Sequence, residues 1–298
     1  MDQNPLVELG LPIALFVIMI GIGLTLTPRD FAREGKDPRG ALVGSLGQIV
    51  VMPALGFAVA AALSLPPAIA VGLVIIAACP GGTTSNLVAY LARSNVALSI
   101  VLTVIASLVT IITLPVAANL ALRWQPTASD VPVEVPVLRT IGLLLAIVLL
   151  PVLIGMAIRA RWPQRAVALE RAVSLFGGLV LAALIVAIAV SLGGEVVTML
   201  ADAGPATVLL NIVGIGVGMA MLWLVGLPFG SRLACGIELG IKNATLGILI
   251  AVNVIGSEEM AVPSAVYGLL MYVTAVAVVF YGRRRQARVV RSTAPRSG

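Results

Sequence analysis

Along this chain the apolar residues neither alternate nor recur at amphipathic spacing; they run on. Nine stretches, at 7–27, 40–63, 67–92, 95–122, 136–158, 172–192, 204–227, 232–252 and 261–282, are long enough for a helix to cross hydrocarbon, which takes about 20 residues at 1.5 Å rise each. The polar breaks between them are mostly short and marked by Pro or Gly: Leu65-Pro66-Pro67, Gly193-Gly194 and Gly204-Pro205. The longest connection, from Arg123 to Pro136, carries three prolines and reads as an extended linker. A membrane-spanning β-barrel would instead show dyad alternation in short segments. The pattern predicts an all-α membrane protein of nine transmembrane helices.

Composition agrees. Of the 298 residues, 60% are hydrophobic and 11% charged, where soluble chains carry about 45–50% and about 25%. Histidine is absent, which removes the commonest proton shuttle and metal ligand. Cys79 and Cys235 are too few for a disulfide framework or a thiolate metal site and are expected to pack as small hydrophobes. The first residues lack the basic start and small-residue cleavage site of a signal peptide.

Net charge is +6, but the distribution of the cations says more than their sum. If the chain crosses nine times, Arg29, Arg33, Lys36 and Arg39 share one side with Arg93, with Arg159, Arg161, Arg165 and Arg171, and with Arg232. The tail at 283–298 adds Arg283, Arg284, Arg285, Arg288, Arg291 and Arg296 to that side. Arg123 and Arg139 fall on the other, with Glu195, Asp202, Glu258 and Glu259. The positive-inside rule makes the basic side cytoplasmic, placing the N-terminus outside and the C-terminus inside a cytoplasmic (inner) membrane. The basic pI therefore reports topology, and no nucleic-acid partner is expected. One cation is left over. Lys242 lies deep in 232–252, and Glu238 is the one acid equally deep.

Two stretches are interrupted. The run 67–92 meets CPGGTTSN at 79–86, where Pro80 lacks an amide hydrogen and Gly81-Gly82 loosens the backbone. The run 232–252 meets GIELGIKNATLG at 236–247. Each could be a glycine-kinked helix packed on a neighbour. A midplane Glu and Lys exceed what packing needs, however, and ionisable groups at that depth point to function. One interrupted helix in each half is the sequence pattern of a transporter site built on inverted repeats. Overlaying the breaks aligns Asn86 with Asn243 and little else.

The motif ACPGGTTSNLVAYLARSNVALSIVLT, with ELGIKNATLG downstream and GIGLTLTPRDF after the first stretch, resembles the bile acid:sodium symporter family over nearly the whole chain. The resemblance implies a single transporter domain in which the broken helices cross. Core helices at 40–122 and 204–282 would move against a panel at 7–27 and 136–192. It also implies a sodium site formed by Ser85, Asn86, Ser99, Thr103 and Glu238, all present here. Ser99 and Thr103 share a helical face, although such hydroxyls alone more often serve helix packing. A second site would use Gln48, Glu238, the carbonyls of Leu239 and Ile241, and a glutamine at 242.

Here residue 242 is lysine, and an ammonium cannot coordinate a cation. Three readings stand. Lys242 replaces the second sodium and holds Glu238 as a carboxylate, the i,i+4 order favouring a helical ion pair. It titrates and couples transport to protons. Or it touches an anionic substrate. The first limits transport to at most one Na+ per cycle, with no organic cofactor.

Half-helix N-termini at the crossing would face an anion. Thr83, Thr84 and Asn243 occupy the positions that the resemblance places near substrate. No arginine lies deep within the core helices to clamp a second carboxylate, Arg93 and Arg232 falling at their ends, so a bile-acid-like anion or a monocarboxylate or sulfonate fits better than a dicarboxylate. Rival classes are limited. A Ser–His enzyme is impossible without histidine, and no aspartate lies within a stretch to build a two-aspartate protease. A carrier of arsenite would use Cys79, against which the PGGTTSN continuation argues. A membrane sensor with this fold and no flux remains an alternative.

Overall fold

The computed structural model describes residues 10–27, 32, 34–125 and 135–293, and among them every regular element is helical. In chain order these are α1 (Gly10–Thr25), α2 (Arg39–Ala62), α3 (Pro67–Ala78), α4 (Thr83–Leu91), α5 (Val96–Trp124) and α6 (Val137–Arg161). There follow α7 (Pro163–Leu192), α8 (Val196–Leu224), α9 (Phe229–Gly240), α10 (Ala244–Ile255) and α11 (Val262–Thr293).

Six of these, α2, α5, α6, α7, α8 and α11, are long and apolar enough to cross a bilayer; α1, α3 and α10 are shorter apolar helices. Six is fewer than nine for two reasons. The stretches 67–92 and 232–252 are each split into two short helices, and the first stretch is described as helix only over Gly10–Thr25. The membrane-facing surface is explicit on the long helices. Leu42, Leu46 and Val50 on α2 are exposed at helical spacing; so are Leu108, Ile112, Val116 and Leu120 on α5, and Leu269, Val273, Val276 and Phe280 on α11. Such stripes are intolerable in water and at home in lipid. The protein is a multi-pass membrane protein.

Two boundaries differ from expectation. Gly204-Pro205 does not separate two stretches: α8 starts at Val196 and runs through Pro205, at the cost of the hydrogen bond that residue would donate to the carbonyl four residues back. The turn lies upstream at Gly193, whose φ of +55° suits glycine. Helix α7 begins at Pro163, its fixed φ favouring a first-turn position, so the helix extends well before residue 172.

The breaks lie at the centre. From Ile69 to Ala78, α3 is buried on all sides, so it reads as apolar all round rather than as an amphipathic stripe. Helices α1, α6 and α7 pack closely through glycine. A Cβ on Gly23 would meet the Val152 carbonyl at 2.1 Å, one on Gly155 the Ile20 carbonyl at 2.3 Å, and one on Gly21 the Val173 side chain at 2.7 Å. This is the close backbone approach by which small residues hold membrane helices together.

Among the described residues, Glu238 and Lys242 are the only buried charges, and the others lie at or near the surface. At one end, Asn95 N–H donates to the Gly230 carbonyl (3.0 Å), Asn95 Nδ2 donates to Glu34 (3.0 Å), and Arg283 Nε donates to the Leu91 carbonyl (2.8 Å). Arg285 lies 4.7 Å above the Phe229 ring, within cation–π range. Arg39 forks onto Asp37 with two 2.8 Å bonds, which hold that carboxyl below its usual range. At the other end Ser191 donates to Glu258, and Asn119 exchanges two bonds with the Val135 backbone (2.7 and 3.0 Å). Arg29, Arg33 and Arg296 lie outside the described residues.

Candidate functional site

The two interruptions meet. Helix α3 ends at Ala78, residues 79–82 are extended, and α4 starts at Thr83; α9 ends at Gly240 and α10 starts at Ala244 after three unwound residues. The unwound segments run antiparallel and pair: Gly82 N–H donates to the Ile241 carbonyl (3.2 Å) and Asn243 N–H to the Pro80 carbonyl (2.9 Å), with Gly81 opposite Lys242. Backbone groups freed by each break thus satisfy the other, which is what allows irregular chain inside a membrane. The Gly240 carbonyl, orphaned at the end of α9, accepts from Asn211 Nδ2 (2.7 Å) and Tyr267 Oη (2.8 Å). Sequence reasoning missed both residues. A tyrosine within an apolar helix was the available signal, since a buried phenol needs a partner.

Glu238 is fully buried beside the crossing. Ser85 Oγ and Ser99 Oγ each lie 2.5 Å from its Oε1; Thr103 Oγ1 lies 2.9 Å and Gln48 Nε2 3.4 Å from its Oε2. Asn86 Oδ1 faces the same hydroxyls, 3.0 Å from Ser99 Oγ and 3.4 Å from Thr103 Oγ1. Thus Ser85, Asn86, Ser99, Thr103 and Glu238, brought from α4, α5 and α9, converge on one spot. Gly81 makes room for them, because a Cβ there would sit 2.2 Å from Glu238 Oε2.

The cluster is rich in oxygen and poor in hydrogen. Three hydroxyl hydrogens and one amide N–H of Gln48 face five acceptors: both Glu238 oxygens, Asn86 Oδ1, and the carbonyls of Gly82 and Ser99, the Gly82 carbonyl also accepting from Ser85 N–H. Asn86 Nδ2, meanwhile, is buried without a partner. An acceptor surplus around a carboxylate is what a hard cation neutralises, and an amide turned oxygen-inward is the orientation a cation would enforce.

Lys242 departs from expectation. Helix α9 stops at Gly240 and Ile241 is extended (φ −102°, ψ 98°), so Glu238 and Lys242 do not share a helix face. No ion pair forms between them within 4 Å. Lys242 Nζ instead donates to the Cys79 carbonyl (3.0 Å) and to Gln48 Oε1 (3.4 Å). Gln48 therefore stands between acid and base, its Nε2 on Glu238 and its Oε1 on Lys242. A π-turn at Gly47–Val51, just ahead of Pro53, carries it there; such turns form where proline removes an α-helical bond. Of the two expected carbonyls, that of Ile241 already accepts from Gly82, and that of Leu239 lies against Gly214 of α8. Cys79 is buried and free.

Across the crossing lies a cleft lined on one side by Gly82, Thr83, Thr84 and Lys242 to Thr245, and on the other by residues of α1, α7 and α11. Asn243 accepts from Leu246 N–H (3.1 Å) through Oδ1, capping α10. That fixes the amide orientation, and its Nδ2 is left without a partner. The cavity measures about 30 Å³, room for about two waters.

A multi-pass membrane protein with two broken helices pairing around a buried carboxylate is the class that fold and site define. The chain belongs to the sodium bile acid symporter family, whose profile matches residues 12–200. It is 32% identical over 254 residues to a probable chloroplastic sodium/metabolite cotransporter of Arabidopsis thaliana, covering 85% of this chain and 62% of that protein. An uncharacterized sodium-dependent transporter of Bacillus subtilis is 39% identical over 117 residues, 39% of this chain and 36% of that protein. The human ileal sodium/bile acid cotransporter is 35% identical over 105 residues, 35% of this chain and 30% of that protein. The matched regions thus span less than two thirds of each relative. These relatives are transporters, not enzymes.

Proposed function

We propose that this protein is a secondary transporter of a small organic anion, working by alternating access and coupled to at most one Na+ per cycle. The observation that carries this reading is the acceptor-rich cluster around Glu238, set against two paired breaks. Ser85, Asn86, Ser99, Thr103 and Glu238 would hold one Na+ as cargo. Because those ligands come from α4, α5 and α9, binding would tie the two breaks together and set the helix ends for substrate. Lys242 occupies the place of a second sodium. Through Gln48 it supplies a positive charge to the Glu238 neighbourhood that never leaves.

Thr83, Thr84 and Asn243 would receive the anion, with the free Nδ2 hydrogens of Asn243 as donors. A cleft of about 30 Å³ is too small for any organic acid, so α1, α6 and α7 would move as a panel against the remaining helices. Counting α3 with α4 and α9 with α10 as one crossing each gives nine crossings. The basic end would face the cytoplasm, with the N-terminus outside an inner membrane.

A proton-coupled reading has its own support. Lys242 Nζ has two acceptors, as many as a neutral amine has N–H groups, whereas an ammonium has three. Uptake of a labelled monocarboxylate into proteoliposomes under separate Na+ and H+ gradients distinguishes the two. Accumulation driven by Na+ alone is expected. Accumulation driven only by H+ would transfer the coupling to Lys242, and no accumulation or counterflow under either gradient would leave a sensor.

A further inference from the structure

The cleft beside the crossing has a second wall to which none of the cation or head-group residues belongs. Helix α7 presents Ser174, Gly177, Gly178 and Leu181 to it, spaced i, i+3, i+4 and i+7 and so on one face. Two of these are anchored to neighbours. A Cβ on Gly177 would meet Ile18 of α1 at 3.2 Å, and Leu181 packs against Gly268 of α11. Gly178 is different: a Cβ there would meet nothing within 4 Å. Close packing therefore does not require glycine at 178, whereas it does at Gly23 and Gly155. The opposite wall carries an independent sign of a ligand. Asn243 is only 5% exposed, its Oδ1 is committed to capping α10, and its Nδ2 has no partner. Buried amide hydrogens without an acceptor are costly, and a ligand anion in the cleft would supply that acceptor.

We propose that the α7 face is the substrate's second wall and that Gly178 sets how large an organic anion the cleft accepts. This rests on the transport reading above and deepens it. The anionic head meets Asn243, Thr83 and Thr84, and the apolar remainder lies across Gly178. Side chains added at 178 project into that space, so they shorten the longest anion accepted without touching the head-group donors. The cation cluster, on the far side of the crossing, is left as it was.

The test uses purified full-length protein and a series of n-alkyl sulfonates from methane- to octanesulfonate, with taurocholate as a bulky member. All stay charged and cross bare lipid slowly. Binding is read by thermal stabilisation and competition for counterflow in proteoliposomes. Gly178→Ala and Gly178→Leu are expected to keep the unliganded melting temperature of the wild type. Gly178→Leu should weaken the longest anion that wild type binds by at least about tenfold, the scale of a misfit of one methylene in a pocket, and should weaken methanesulfonate far less. Wild type binding none of these anions would overturn the transport reading and this wall with it. Wild type binding them while Gly178→Leu leaves the size profile unchanged, or weakens all members equally, would overturn the wall alone.

Discussion

Replacing Lys242 by glutamine is expected to turn a simple hyperbolic sodium dependence into a cooperative one, with a Hill coefficient rising from one toward two. In the wild type, Lys242 fills the space between the Cys79 carbonyl and Gln48 Oε1. Removing its charge leaves Gln48, Glu238 and the Cys79 carbonyl as oxygens around a gap, with an uncompensated carboxylate nearby. Sodium is then the available counter-charge. Without sodium, Lys242→Gln should be less stable than wild type. Saturating sodium should restore it by roughly 2–3 kcal/mol, the linkage expected at about 100 times the dissociation constant. Thermal unfolding against sodium concentration checks both statements. A variant with the wild-type sodium response would mean that Lys242 does not stand in for a cation.

Glu238→Gln should have the larger effect on activity. Both carboxylate oxygens are engaged, by Ser85 and Ser99 on one and Thr103 and Gln48 on the other, and the cluster has no other formal negative charge. Sodium binding and sodium-driven uptake should fall below detection. Stability should fall by roughly 1–3 kcal/mol, because an amide cannot accept all four of those bonds and buried Lys242 loses the charge of the nearby carboxylate. Removing that lysine as well should return part of the loss. The double variant Glu238→Gln/Lys242→Gln is expected to be more stable than the sum of the single changes by at least about 1 kcal/mol, the range for residues in one network. Strict additivity in a denaturation cycle would show that the two charges do not sense each other through Gln48.

Much of the arrangement was legible in the chain. Pro80 with Gly81-Gly82, and the glycines around Glu238, mark where helices break, and both breaks occur there. Ser99 and Thr103, four apart on an unbroken helix, had to share a face, and they do. What escaped was set by backbone geometry that residue spacing does not encode. The i,i+4 pairing of Glu238 with Lys242 presumes a continuous helix; because α9 ends at Gly240, the same spacing sends Lys242 to the opposite break. Gln48 accepts from Lys242, as its place in the second site led one to expect, but its second bond, to Glu238, comes with a π-turn ahead of Pro53 that residue spacing does not encode. Gly204-Pro205 looked like a turn because proline usually ends helices, but a single lost bond is tolerated within α8. Asn211 and Tyr267 escaped because their partner is a backbone carbonyl that exists as an orphan only once the break has formed.

At most one sodium should cross with each substrate, because Lys242 would hold the second position permanently. The most direct test is the ratio of 22Na+ to labelled organic anion taken up by wild-type proteoliposomes over the same initial interval, with membrane potential clamped. A ratio of one is expected in the native protein, rising toward two in Lys242→Gln. A ratio of two in the native protein would contradict it.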